Sequence, residues 1–195
     1  MLKEQLKKFQ IILASGSPRR QQFFREMGLD FEIRLKPVEE IYPDRLKGAE
    51  ISDYLAVLKA SPFKNELKDH EILITSDTVV WHNGSSLAKP GDAKEAYKMI
   101  KTLSDDWHEV ITSVCFTTSS SQKTEYHSTK VKFKPLSDEE ILYYIENYKP
   151  FDKAGGYGIQ EWIGLIGIEQ IEGSYANVVG LPTHIVYKTL MDMAS

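Results

Sequence analysis

A single cysteine, Cys115, stands in this chain of 195 residues. That excludes a disulfide framework and any multi-cysteine zinc or iron–sulfur site. No apolar run approaches the ~20 residues of a membrane-spanning helix. The amino-terminal stretch MLKEQLKKFQ is charged every two or three residues and lacks the apolar centre of a secretory signal. The expectation is a reducing, cytoplasmic compartment and no membrane partner. Basic residues are in deficit, 24 Lys and Arg against 28 Asp and Glu for a net charge of −4. A deficit of this kind argues against nucleic acid as a partner and, taken alone, against any polyanionic ligand. Common local signatures are missing too. There is no G-x-x-x-x-G-K-[ST] loop and no G-x-G-x-x-G fingerprint, and no serine lies in G-x-S-x-G. His70, His82, His108, His127 and His184 show no metal-ligand spacing.

What is present is a globular composition, 42% hydrophobic and 27% charged, long enough to bury a sizeable core in one domain over 1–195, with residues 1–9 as a peripheral extension. Strands and helices alternate. Ile11 to Ala14 is a short apolar run suited to a strand buried on both faces. Ser17 and Pro18 follow as N-cap and first helical residue, and Gly28 ends that helix. Leu29 to Leu35 reads as a second strand, and Ile51 to Leu58 as a helix. Ile72 to Trp81 is a β-branched strand that turns at His82-Asn83-Gly84 into a partner near Leu87. Asp92 with Glu95, and Ser137 with Glu140, form capping-box patterns ahead of amphipathic stripes. Trp107 to Thr117 and His127 to Phe133 read as a strand pair around a polar loop. Ile163 to Ile171 reads as strand, and Thr183 opens a last helix. The sum is α/β with a mixed sheet.

Four segments carry chemistry. In Ala14-Ser15-Gly16-Ser17-Pro18-Arg19-Arg20 a strand enters a glycine-serine turn that opens a helix, pointing backbone N–H groups and hydroxyls at one place, as a phosphate requires. Arg19 and Arg20 oppose the positive end of the helix dipole, which a bound anion would explain; an ordinary cap with two solvated arginines explains the segment equally. Asp77, inside Thr75-Ser76-Asp77-Thr78, is a carboxylate in an otherwise apolar strand, and must meet a cation, a metal or water. Such a group suits a general base or a magnesium ligand. Lys89 precedes Pro90-Gly91 at a strand end. Lys59 ends a helix, where the dipole alone explains it, and the loop pair Glu39-Glu40 is explained by solvation alone. Lys153-Ala154-Gly155-Gly156-Tyr157-Gly158-Ile159-Gln160 combines glycines that admit a ligand with a glutamine amide matching the O4 and N3–H edge of uracil or thymine. A flexible connector is the plain alternative.

Taken in order, Leu-Ala-Ser-Gly-Ser-Pro-Arg-Arg at 13–20, Ser-Asp-Thr-Val-Val at 76–80, Lys-Pro at 89–90 and Asp-Lys-Ala-Gly-Gly-Tyr-Gly-Ile-Gln at 152–160 resemble the Maf family of nucleoside triphosphate pyrophosphatases. Leu-Ser at 103–104 with His108, and Gly-Ser-Tyr at 173–175 leading to Val-Gly-Leu-Pro at 179–182, extend the resemblance from Leu13 to about Leu190. The resemblance implies a mixed elongated sheet with flanking helices and two lobes around a deep cleft, a cytoplasmic location and a possible homodimer. It implies hydrolysis of a small nucleoside triphosphate to the monophosphate and pyrophosphate with Mg2+ or Mn2+. Asp77 matches the catalytic acidic position and, with Glu40, the metal positions. Ser15, Arg20, Lys59 and Lys89 match phosphate- or metal-binding positions, with Lys153 expected in the same cleft. Arg19, Thr78 and Gln160 match the positions separating the dTTP/UTP type from a relative acting on methylated GTP. Two residues depart from the pattern. Asp105 and Glu161 stand where glycine is usual, the first expected to change only a turn, the second beside the base-reading Gln160. A nucleotide-sensing regulator of cell division and a phosphomonoesterase are the alternative readings.

Overall fold

The computed structural model describes residues 2–195. Its strands are β1 (Gln10–Leu13), β2 (Phe31–Ile33), β3 (Glu71–His82), β4 (Ser85–Leu87), β5 (Trp107–Thr117), β6 (Gln122–Phe133) and β7 (Ile168–Glu172). The helices are α1 (Leu2–Gln5), α2 (Pro18–Glu26), α3 (Ala49–Ala60), α4 (Ala93–Leu103), α5 (Asp138–Tyr148), α6 (Trp162–Gly167), α7 (Tyr175–Val179) and α8 (Thr183–Ala194). The strands form one mixed seven-stranded sheet in the order β2-β1-β3-β5-β6-β7, with β4 on β3.

The apolar run at 11–14 forms the parallel strand between β2 and β3, its Ile12 and Leu13 fully buried. Ser17 caps α2 by accepting from the Arg20 N–H, and Ser137 with Glu140 completes a reciprocal capping box on α5. Asp92 caps α4, but the Glu95 carboxylate turns to the Gly91 N–H instead of closing the box. Asn83 (φ 47°) and Gly84 (φ 79°) both adopt the left-handed region that a two-residue hairpin demands. Asp105 does so as well (φ 60°), showing that an aspartate serves in a turn where glycine was expected.

The pairing of β3 positions the site. One edge of β3 pairs continuously with β5, from Leu73 to Trp81. The other edge pairs with β1 only as far as Ile74, and with β4 only from Val80 onward. Residues 75–79 therefore face a gap in the ladder, and a cleft opens there.

Two apolar clusters occupy the two ends of the same long strands. Ile72, Ile74, Val114 and Phe116 pack with Phe24 of α2 and with Val186 and Leu190 of α8. Val80, Val110 and Val131 pack with α4, with Tyr144 of α5 and with Tyr157 and Ile163. Leu6, in the stretch before β1, is 5% exposed and belongs to the first cluster.

Three boundaries differ from expectation. Residues 162–167 form helix α6, not strand, and β7 starts only at Ile168. A short run rich in isoleucine cannot be told from a buried helical turn by periodicity. Within α6 the bare α-carbon of Gly164 admits the Ile159 carbonyl oxygen, from which a Cβ would lie only 1.8 Å. The strand at 29–35 shrinks to Phe31–Ile33. β6 begins at Gln122, five residues before the expected start, because its polar stretch pairs fully with the buried β5.

Candidate active site

A cleft of about 780 Å³ lies over the gap in β3, within the size range of small-molecule sites. All ten residues singled out in the sequence line it: Ser15, Arg19, Arg20, Glu40, Lys59, Asp77, Thr78, Lys89, Lys153 and Gln160. Six cationic side chains and three carboxylates face it, so its lining is basic although the chain is acidic.

Asp77 lies at the centre of the gap, 7% exposed. Its Oδ1 accepts a hydrogen bond from Lys59 Nζ at 2.7 Å, and the same ammonium reaches Glu40 Oε2 at 3.1 Å. The lysine at the end of α3 is thus shared between the two carboxylates, which the dipole of its helix alone does not explain. Glu40 arrives on the irregular segment 34–48, which contributes further lining through Leu35, Lys36, Val38 and Tyr42. Lys36 pins that segment by donating to the Pro62 carbonyl and the Glu66 carboxylate.

Arg20 folds back from α2 into the β3 gap. Nε donates to the Gly180 carbonyl at 2.9 Å, one terminal nitrogen to the Ser76 carbonyl at 2.9 Å and the other to Thr78 Oγ1 at 3.0 Å. The side chain thereby takes up a β3 carbonyl inside the gap. Burial pulls its pKa below the ordinary arginine value, opposed by the Asp77 and Glu40 charges; a guanidinium stays protonated regardless. The network continues inward. Thr112 donates to the Asn177 carbonyl, so the shared contact with Thr78 at 3.0 Å takes its proton from Thr78. Asn177 in turn donates to the Val110 carbonyl and to Thr129. Thr78 thus accepts from Arg20 and donates to Thr112, which makes it part of the wall that holds the arginine. Ser15 Oγ accepts from the Ser17 N–H at 3.3 Å and tightens the turn before α2.

The glycine segment closes the other end. Gly155 N–H donates to the Ala88 carbonyl, tying the segment to the residue before Lys89. Lys153, 10% exposed at its side chain, lies between Asp152 Oδ1 at 2.7 Å and Glu161 Oε1 at 3.0 Å. Asp152 also accepts from Arg19 at 3.1 Å. Burial opposes ionisation of Asp152, but its hydrogen bonds with Lys153 and Arg19 outweigh that and hold its pKa below the usual carboxylate range. Tyr157 packs against Phe133 and hydrogen-bonds His108 Nε2 at 2.6 Å. Burial pushes His108 down to about 3, so its imidazole is neutral at ordinary pH.

Sequence reasoning missed Asp152, Thr112, Asn177 and Tyr144 as parts of this site. Asp152 adjoined a named lysine, and its acidity was the available signal. Tyr144 has only the spacing of an apolar-stripe residue of α5, and nothing local reveals where its hydroxyl goes. Among the described residues no group of three or more His, Cys, Asp or Glu side chains could hold a metal ion. The Glu40–Asp77 pair, converging on one ammonium, still fits magnesium, which takes one or two carboxylates and completes its shell with substrate phosphates and water. No helix among the described residues is long and apolar enough to cross a membrane.

Comparison with known proteins adds to this geometry. The family described as Maf-like protein matches residues 10–193. A dTTP/UTP pyrophosphatase of Flavobacterium johnsoniae is 63% identical over 97% of this chain and 98% of its own. One of Christiangramia forsetii is 60% identical over 99% and 98%, and one of Phocaeicola vulgatus 49% identical over 96% and 97%. Among solved structures, the Ham1 protein of Staphylococcus aureus is similar at 16% identity and a TM-score of 0.48, over 64% of this chain and 71% of that one. A match over nearly the whole length, with relatives this similar, leaves one conclusion: the chain belongs to the Maf family.

Proposed function

We propose that this protein is a nucleoside triphosphate pyrophosphatase that hydrolyses dTTP and UTP to the monophosphate and pyrophosphate. The observation that carries the reading is the Asp77–Lys59–Glu40 cluster at the floor of a basic cleft, with the glycine segment and Gln160 at the other end. The names of the relatives, dTTP/UTP pyrophosphatase, support the same substrates.

In this reading Asp77 takes the proton from the water that attacks the α-phosphorus. Lys59 orients that carboxylate. Arg20, Lys89 and the N–H groups of the 15–20 turn face the charge that develops on the departing pyrophosphate. Glu40 and Asp77 would hold a magnesium or manganese ion, which when bound neutralises phosphate oxygens. Arg19 and Lys153 shape the nucleoside end, where the Gln160 amide reads the O4 and N3–H edge of the base, while Thr78 acts by holding Arg20. A cytoplasmic location, a small-molecule substrate with no nucleic acid partner and a possible homodimer complete the reading; light scattering in solution measures the last.

The test is a panel of nucleoside triphosphates, methylated GTP included, offered with magnesium and then manganese, with products identified. Pyrophosphate, with dTTP and UTP preferred, is the expected result. Orthophosphate as product would make the protein a phosphomonoesterase. Binding without turnover would make it a nucleotide sensor.

A further inference from the structure

Glu161 stands outside the cleft lining, yet it touches the groups that shape the base-reading end. Its Oε1 pairs with Lys153 Nζ at 3.0 Å, and its Oε2 accepts from the Tyr144 hydroxyl. The Tyr144 oxygen also accepts the Gly158 N–H at 3.0 Å. One phenol on α5 thus holds both the backbone before Gln160 and the carboxylate after it. Burial and the bond to Glu161 push the Tyr144 pKa above its ordinary value, so the hydroxyl keeps its proton and remains a donor. Over Gly158 the packing is close: a Cβ there would lie 2.9 Å from Lys153 Cε, 3.0 Å from Glu161 Cδ and 3.1 Å from Gln160 Nε2. The side chains of Lys153, Glu161 and Gln160 close over a bare α-carbon, with Tyr144 bonded to the Gly158 N–H.

The geometry points to Glu161 as a positioning residue that, with Tyr144 and Lys153, fixes the Gly158–Gln160 turn and thereby sets discrimination between bases. The inference rests on the function proposed above, in which the Gln160 amide reads the base. Gln160 itself is exposed. An exposed amide selects one hydrogen-bonding edge over another only when its backbone is held in place, because a mobile amide flips to suit either edge. Lys153, already shared between Asp152 and Glu161, serves here as a cationic strut. Thymine and uracil present an acceptor at O4 and a donor at N3; cytosine presents a donor and an acceptor at the corresponding places. A fixed amide distinguishes the two patterns, and a loosened one does not.

The experiment compares kcat/KM for dTTP and dCTP in the wild type, Glu161→Gly, Tyr144→Phe and the nearly isosteric Glu161→Gln. The preference for dTTP falls about tenfold in Glu161→Gly and Tyr144→Phe, the scale expected from losing one charge-assisted contact. Glu161→Gln keeps an acceptor for Tyr144 and gives up the ion pair, so its preference lies between these and the wild type. A merely structural role would lower kcat/KM for both nucleotides equally and leave the ratio unchanged; a ratio within about twofold of wild type in the first two variants overturns the inference. Calorimetric titration of dTTP and dCTP in metal-free buffer reads the same ratio from binding alone. A wild type that binds dTTP preferentially but releases no pyrophosphate defeats the proposed function, while the variants still decide the role of Glu161.

Discussion

The two ends of the cleft are held by different means. At the Asp77 end, Asp77 and Thr78 project from β3, Arg20 is fastened to its backbone, and Lys59 and Glu40 join Asp77 through their side chains. Arg20 is bound to the Ser76 and Gly180 carbonyls, and Lys59 is shared between Asp77 and Glu40. At the glycine-segment end the loop itself pairs with no strand, although Gly155 packs against Val80 of β3. The loop is held by the side chains of Tyr144, Glu161, Asp152 and Lys153, with the Gly155–Ala88 hydrogen bond as its tie to the hairpin. A sheet ladder fixes atoms to a fraction of an ångström and tolerates little change, which would suit the reacting centre proposed for this end. Side-chain contacts can be altered one at a time without loss of the fold, which would suit the base-choosing role proposed for this end.

If the division is real, substitutions at the two ends behave differently. The largest effect belongs to Asp77→Asn. Steady-state assays should show kcat lower by ~10²–10⁴-fold, the usual contribution of a general base, with dTTP binding retained. Lys59→Met comes next. Loss of one preorganised cation lowers kcat by about 10²-fold or more. It also leaves the Asp77 carboxylate unpaired, and thermal denaturation should record about 1–3 kcal/mol of lost stability. At the other end, Gly164→Ala acts on the scaffold. Its methyl would sit 1.8 Å from the Ile159 carbonyl oxygen, two residues before Glu161, so α6 and the loop must part. Urea denaturation should show about 3 kcal/mol of destabilisation. The smallest effect concerns His108. The unfolded chain takes up a proton below the ordinary histidine value of about 6.5, and the folded imidazole does so only near 3. Its contribution to stability is therefore complete above that window and lost as pH falls through it. Glutamine can still bond Tyr157, so His108→Gln should be less sensitive than the wild type to a shift from pH 7 to pH 5, as read by denaturant midpoints.

Much of the first end was legible in the sequence. Ser17-Pro18 announces its helix, and a lone aspartate in a β-branched strand announces a partner, because both signals are local. That the strand is open on one edge at 75–79 was not legible. It depends on β1 ending at Leu13 and on β4, which runs antiparallel to β3, ending at Leu87 opposite Val80, and strand ends are set by tertiary pairing. Nor were the long-range polar contacts. Arg19 meets Asp152 across 133 positions, and Arg20 meets Gly180 across 160. The second end was legible as a motif, and its bracing was not. Tyr144 has the spacing of a core residue and is one; only its hydroxyl, reaching Gly158 and Glu161, does anything further. Helix α6 was misread because six residues with two glycines carry too little periodicity to separate helix from strand.

Hydrolysis of dTTP in water labelled with heavy oxygen, with products resolved by mass spectrometry, tests directly whether the Asp77 centre drives attack at the α-phosphorus. The expected result is label in the monophosphate, unlabelled pyrophosphate, and loss of both products in Asp77→Asn. Label in orthophosphate or in pyrophosphate, or undiminished turnover in Asp77→Asn, would contradict it.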